Sequence, residues 1–181
     1  AAGVTVLRNL ICRSAIHIKK EVLQHLPLSA CLQLLDDVPC VAGQTLALLR
    51  NLFASHMEAL VDVGAADLET VLHKTTQQAH RAAQGGDPLS EDQVQTVEHC
   101  VWLLSHAALA ESSVATVMQE PLARFVMQSL QARQPSIQLA ATWTVLNLIW
   151  PTAASEGGQG PRSQRIARLR ALVDVGAADL E

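Results

Sequence analysis

Tyrosine is absent from this chain, phenylalanine occurs twice, and only 17% of the 181 residues are charged. Half-buried strands need apolar and polar residues in a period of two, and little such alternation is present. No apolar run reaches the roughly 18–20 residues that a bilayer crossing requires, so no membrane partner is expected. No basic start runs into an apolar stretch, as it would in a secretory leader. A net charge of −4 gives no electrostatic footprint for nucleic acid. Cys12, Cys31, Cys40 and Cys100 lie far apart, with no CxxC pair and no metal-ligand spacing. Three of them sit in apolar segments, and the reading is buried, reduced thiols in the cytosol or nucleus rather than disulfides.

Motifs of catalysis are missing too. There is no phosphate loop, zinc-ligand cluster or nucleophile elbow. His99 and Cys100 are adjacent, but neighbours on a helix project about 100° apart and so face different ways. The chain is therefore expected not to be an enzyme, with no catalytic, metal-binding or cofactor-binding residues.

What the chain does have is apolar content, 49% of its residues, in a helical rhythm punctuated by Pro and Gly. An all-α fold follows. The rhythm also repeats. LRNL occurs at 7–10 and again at 49–52, placing Asn9 and Asn51 42 residues apart. The similar helix EHCVWLLSHAA carries His106 in the Asn place, 55 residues on, and TWTVLNL carries Asn147 another 41 on. A unit of about 42 residues with one insertion lies in the range of armadillo and HEAT repeats.

A helix-breaking corner precedes each motif, at Leu26-Pro27, Gly64-Ala65 and Glu120-Pro121. From corner to motif the distances are 24, 42 and 26 residues, which puts the insertion at 73–93, where the apolar rhythm fails. The unit then reads as three helices: a short one (16–25, 57–63, 113–120), a second (27–35, 66–72, 121–132) and a third near 4–13, 39–55, 92–109 and 135–150. Pro27 and Pro121 suit the first turn of a helix, where the missing N–H is not needed. A Gly/Pro/Ser loop at 151–164 is followed by a helix at 165–175 and a further corner at Gly176-Ala177. The whole of 1–181 is expected to be one domain, an armadillo-type right-handed α-solenoid of about four three-helix repeats, incomplete at both ends. ALVDVGAADLE stands identically at 59–69 and 171–181; a local duplication and a fault in the source gene model both account for it.

Stacked repeats form an extended concave surface, which the third helices line. The helix at 138–150 is apolar around most of its circumference, which places Leu146 in the core. Its exception is a strip of Ser136, Ala140, Trp143 and Asn147. An amide both donates and accepts, so Asn9, Asn51, His106 and Asn147 in register would form a ladder for the backbone of an extended peptide. A lone mid-helix Asn is usually solvated or locally satisfied; recurrence in register favours the groove. Trp102 and Trp143 each stand four residues before their rung, as pocket walls or as caps on the core. Arg8 and Arg50 precede two of the Asn residues, either drawing an acidic segment or standing as solvated charges. His106 reads as a substituted rung, not a metal ligand.

TLALLRNLFAS (45–55), and SIQLAATWTVLNLIW with the polar loop after it (136–164), resemble the last repeats of the armadillo scaffold subunits of the CTLH/GID E3 ubiquitin ligase. The resemblance runs in order from Val4 to Arg170, strongest over 46–54 and 138–150 and weak over 73–93. NLIW is fairly specific, whereas LRNL is common to many armadillo proteins. In that family these repeats hold an interchangeable substrate receptor, whose C-terminal tail lies in the concave groove. The resemblance thus implies contacts from Asn9, Asn51, His106, Asn147, Trp102 and Trp143 to a receptor tail. It also implies ligase core subunits as partners, proteasomal degradation as the process, and a cytoplasmic and nuclear location. Ubiquitin transfer would fall to partner RING subunits. His106 and the insertion depart from the family's pattern. The alternative is an importin-α-like carrier or other peptide-binding armadillo adaptor. A carrier of basic peptides would want acidic residues where Arg8 and Arg50 stand.

Overall fold

A computed structural model describes residues 2–54, 65–84, 88–149 and 162–177. Within them lie ten α-helices and no strand: α1 (Ala2–Ile11), α2 (Ile16–His25), α3 (Leu28–Leu34), α4 (Pro39–Phe53), α5 (Ala65–Ala83), α6 (Glu91–Ala107), α7 (Glu111–Val117), α8 (Glu120–Leu130), α9 (Pro135–Ile149) and α10 (Arg162–Ala177). The helices expected near 4–13, 39–55, 92–109 and 135–150 correspond to α1, α4, α6 and α9.

Local chemistry sets the helix starts. Pro39 and Pro135 open α4 and α9, and Pro121 lies in the first turn of α8, all positions where no amide hydrogen is needed. Pro27 differs from its expected place: it is extended and precedes α3 as the N-cap. Ser90 and Gln93 form a reciprocal capping box at the head of α6, each side chain taking the other's backbone N–H.

Two rows of helices result. α1, α4, α6 and α9 touch in sequence, and so do α3, α5, α8 and α10. Contacts of α3 with α4, α5 with α6 and α8 with α9 join the rows. Leu46, Leu49 and Leu52 of α4, Leu72 of α5, Val101 and Leu104 of α6, Leu122 and Val126 of α8, and Leu148 of α9 belong to one buried cluster between them.

The structure departs from the sequence reading in several places. α5 continues from the expected helix at 66–72 through Ala83, into the insertion at 73–93. The apolar rhythm fails there because threonines take buried positions: Thr75 donates to the Leu72 carbonyl and Thr76 lies 3.7 Å from the Cys100 sulfur. At the other end, α10 begins at Arg162 and runs through Gly176 to Ala177, where a corner was expected. The short helix at 57–63, Gly64 of the second corner and residues 151–161 of the loop lie outside the described residues.

Leu146 is not a core residue. It is 48% exposed, beside Leu139 and Trp143, while Ile137, Ala140, Ala141, Thr144 and Leu148 are buried. A helix apolar all round carries no moment to orient it. Small side chains let α9 approach α6 closely enough for Thr144 to donate to the Val101 carbonyl at 3.2 Å. The thiols divide as well: Cys31 and Cys100 are buried, but Cys12 and Cys40 are exposed, and all four are free.

Candidate functional site

The last carbonyls of an α-helix have no partner within the helix. Among the described residues, side chains from other helices supply partners for five of them. Asn51 donates to the Arg8 carbonyl, Gln78 to Leu35, Lys19 to Ala54, Asn147 to Ser105 and Arg168 to Leu148. Two of the expected ladder amides are therefore turned onto the helix before them. Asn51 is 7% exposed; its amide nitrogen lies 3.2 Å from the Arg8 carbonyl, and its oxygen accepts from Arg50 Nε and Nη2. The Asn147 nitrogen meets the Ser105 carbonyl at 3.0 Å and its hydroxyl at 3.1 Å.

The backbone explains the choice of positions. At the end of α1, the Cys12 amide turns to the Asn9 carbonyl and leaves Arg8 without its in-helix bond. At the end of α6, the Leu109 amide turns to His106 and leaves Ser105 in the same state. At the end of α4 the equivalent carbonyl, Arg50, accepts from the Ala54 amide at 2.9 Å. No amide is called for at the following rung, and that rung is His106.

The eight residues singled out from the sequence do not share one site. Arg50, Asn51, Trp102 and His106 line a cavity of about 560 Å³, together with Cys12, Arg13, Ser14, Lys19 and Ala54. Arg8 instead ties α1 to α4 through Gln44, 2.7 Å away, and also donates to Asn9, which is exposed. Asn147 and Trp143 lie on α9, outside the lining of this cavity. His99 and Cys100 part as helix geometry requires, one to Arg50 and the other to Thr76.

The cavity gathers positive charge where α1 and α4 end. Arg13 has φ 59°, an uncommon left-handed conformation for a residue with a side chain, in the turn between α1 and α2. Lys19 of α2 is only 2% exposed, and its ammonium lies 2.6 Å from the Ala54 carbonyl, at the negative end of the α4 dipole. Burial pulls the Lys19 pKa below its usual value, opposed by the nearby Cys12 thiol. The Trp102 indole stacks on the His106 ring, 6.2 Å between centroids and 27° between planes. Burial first, then Arg50 and Lys19, lower His106 to a pKa of about 4, so the imidazole is neutral near pH 7. Among the described residues, three cations and no carboxylate line the cavity.

Chemically, this lining is suited to an anion and has an aromatic wall. Lys19 and Arg13 were not singled out from the sequence, because they belong to no recurring motif. The signal present was a lysine in phase with Ile16 and Leu23 along α2. Among the described residues, no group of three His, Cys, Asp or Glu side chains is placed to hold a metal ion, and no helix is long and apolar enough to cross a membrane. No family model, no curated protein and no solved structure matches the chain.

Proposed function

We propose that this chain is a non-catalytic scaffold that binds an extended, acidic segment of a partner protein. In this reading the two rows of helices are the layers of an armadillo-type right-handed solenoid of about four three-helix repeats. α1, α4, α6 and α9 are its third helices. Contacts in chain order within each row, and asparagine contacts that recur in register, support that architecture.

The observation that carries the binding role is the cavity bounded by Arg13, Lys19, Arg50, Trp102 and His106. Its cations attract carboxylates, and its indole offers a face to an apolar or aromatic side chain beside them. The likeness of 45–55 and 136–164 to the CTLH/GID scaffold subunits extends the proposal. The partner is then a substrate receptor held for an E3 ubiquitin ligase, in cytoplasm and nucleus, while RING subunits transfer ubiquitin. The cavity's charge stands against an importin-α-like carrier, whose basic cargo it would repel.

Affinity purification with mass spectrometry tests the ligase assignment. RING subunits and a receptor co-eluting with the chain, and lost with Arg50→Glu, are the expected result. Tight, salt-sensitive binding of a lysine-rich nuclear localisation peptide would overturn it.

A further inference from the structure

The cavity is more positive than a peptide carboxylate can balance. Arg13, Lys19 and Arg50 all line it, and none forms an ion pair with a carboxylate among the described residues. A buried ammonium without a counter-ion is costly unless something pairs with it. The α4 C-terminus, worth roughly half an elementary charge, offsets part of Lys19 and engages one of its three donors. Arg50 also donates to Asn51 and His99, and Arg13 is exposed, but neither guanidinium has a negative partner among the described residues. A carboxylate brings one negative charge, whereas a phosphate monoester brings about −1.5 to −2 at pH 7 and three acceptor oxygens. The cavity volume of about 560 Å³ leaves room for the group that carries the phosphate, against the Trp102 indole.

We propose that this cavity is a binding site for a phosphate monoester, its oxygens held by Arg13, Lys19 and Arg50. Resting on the scaffold reading, the monoester is a phosphorylated serine or threonine of the docked segment, so that phosphorylation strengthens docking. A small phosphorylated molecule offers the same chemistry, and the experiment separates the two.

The first arm needs no partner, so it stands apart from the scaffold reading. The purified chain is titrated with inorganic phosphate, and with acetate at matched ionic strength, while its thermal midpoint is followed. A saturable rise with phosphate and none with acetate is expected. Arg13→Asn should weaken that saturation about tenfold or more, the scale of a lost charged hydrogen bond. Arg13 is exposed, and Asn tolerates positive φ, so this variant keeps the fold. No saturable rise, or one unchanged by Arg13→Asn, would overturn the site. The second arm compares one acidic peptide with serine and with phosphoserine at its centre. Preference for the phosphorylated form, lost with Arg13→Asn, assigns the site to a side chain. Equal binding of the two, with inorganic phosphate still saturating, overturns the side-chain assignment in favour of a free phosphate.

Discussion

The Asn51 side-chain nitrogen lies 3.2 Å from the Arg8 carbonyl, and Asn147 repeats the contact one pair of helices later, 3.0 Å from the carbonyl of Ser105. Each acceptor is the residue just before the preceding rung, Asn9 or His106. The asparagines therefore fix helix against helix at a carbonyl that its own helix has left unpaired. Removing such a donor leaves a shielded acceptor without a partner, at a cost of about 1–3 kcal/mol. Asn51→Ala and Asn147→Ala should each lose stability on that scale in urea unfolding. Asn9→Ala should lose almost none, since Asn9 is exposed and its side chain only accepts from Arg8. Equal losses at all three positions would contradict this division.

His106 tests the same idea in reverse. The Arg50 carbonyl already accepts from the Ala54 amide, so restoring asparagine at position 106 has no orphan to satisfy. His106→Asn should therefore not stabilise the chain, and it should lose the ring that stacks on Trp102. A gain of about 1 kcal/mol, the usual worth of one new hydrogen bond, would mean that the carbonyl is available after all.

On α9, exposure separates two leucines that sequence cannot tell apart. Leu146 is 48% exposed and Leu148 is fully buried. Leu146→Asp should change stability by no more than about 0.5 kcal/mol, as surface substitutions do. Leu148→Asp places an unpaired charge in the core and should cost several times as much. Thermal midpoints of the two variants decide the facing.

The helices themselves were legible, because the apolar rhythm is a property of neighbours in sequence and the prolines mark its breaks. The recurrence of Asn9, Asn51 and Asn147 was legible too. What each amide does was not: its partner lies about 42 residues away, and the need for it arises from how one helix turn closes. The same limit hid Lys19, whose burial depends on where α4 ends, and misplaced Leu146, since an apolar circumference has no preferred face. Four of the eight singled-out residues meet at the cavity because they share the ends of α4 and α6.

Thiol chemistry should follow the division of the cysteines. Burial raises Cys31 to a pKa of about 11 and Cys100 to about 12, whereas Cys12 and Cys40 are exposed. The thiolate is the reactive form, so both burial and protonation protect the first pair. An aromatic disulfide reagent at pH 8 should label Cys12 and Cys40 rapidly in the folded chain, and Cys31 and Cys100 only after denaturant is added. Prompt labelling of Cys100 would mean that α5 and α6 open readily.

Acid should weaken the fold through two histidines. Burial first, then Arg50 and Arg8, lower His99 to about 4; burial, Arg50 and Lys19 do the same to His106. The 3.1 Å contact of Arg50 Nη1 with His99 Nδ1 requires that nitrogen to accept, which a protonated ring cannot do. In the unfolded chain both rings titrate near about 6.5. Between roughly pH 6.5 and 4 the unfolded state therefore binds more protons, and stability falls as the pH falls through that window. Each histidine contributes a slope of at most about 1.4 kcal/mol per pH unit. Urea unfolding from pH 7.5 to 4.5 should show this loss, with a shallower slope for His106→Gln. Arg50→Gln should flatten it as well, because that guanidinium opposes the charge on both rings. An identical acid slope in wild type and both variants would mean that neither histidine is held neutral by its surroundings.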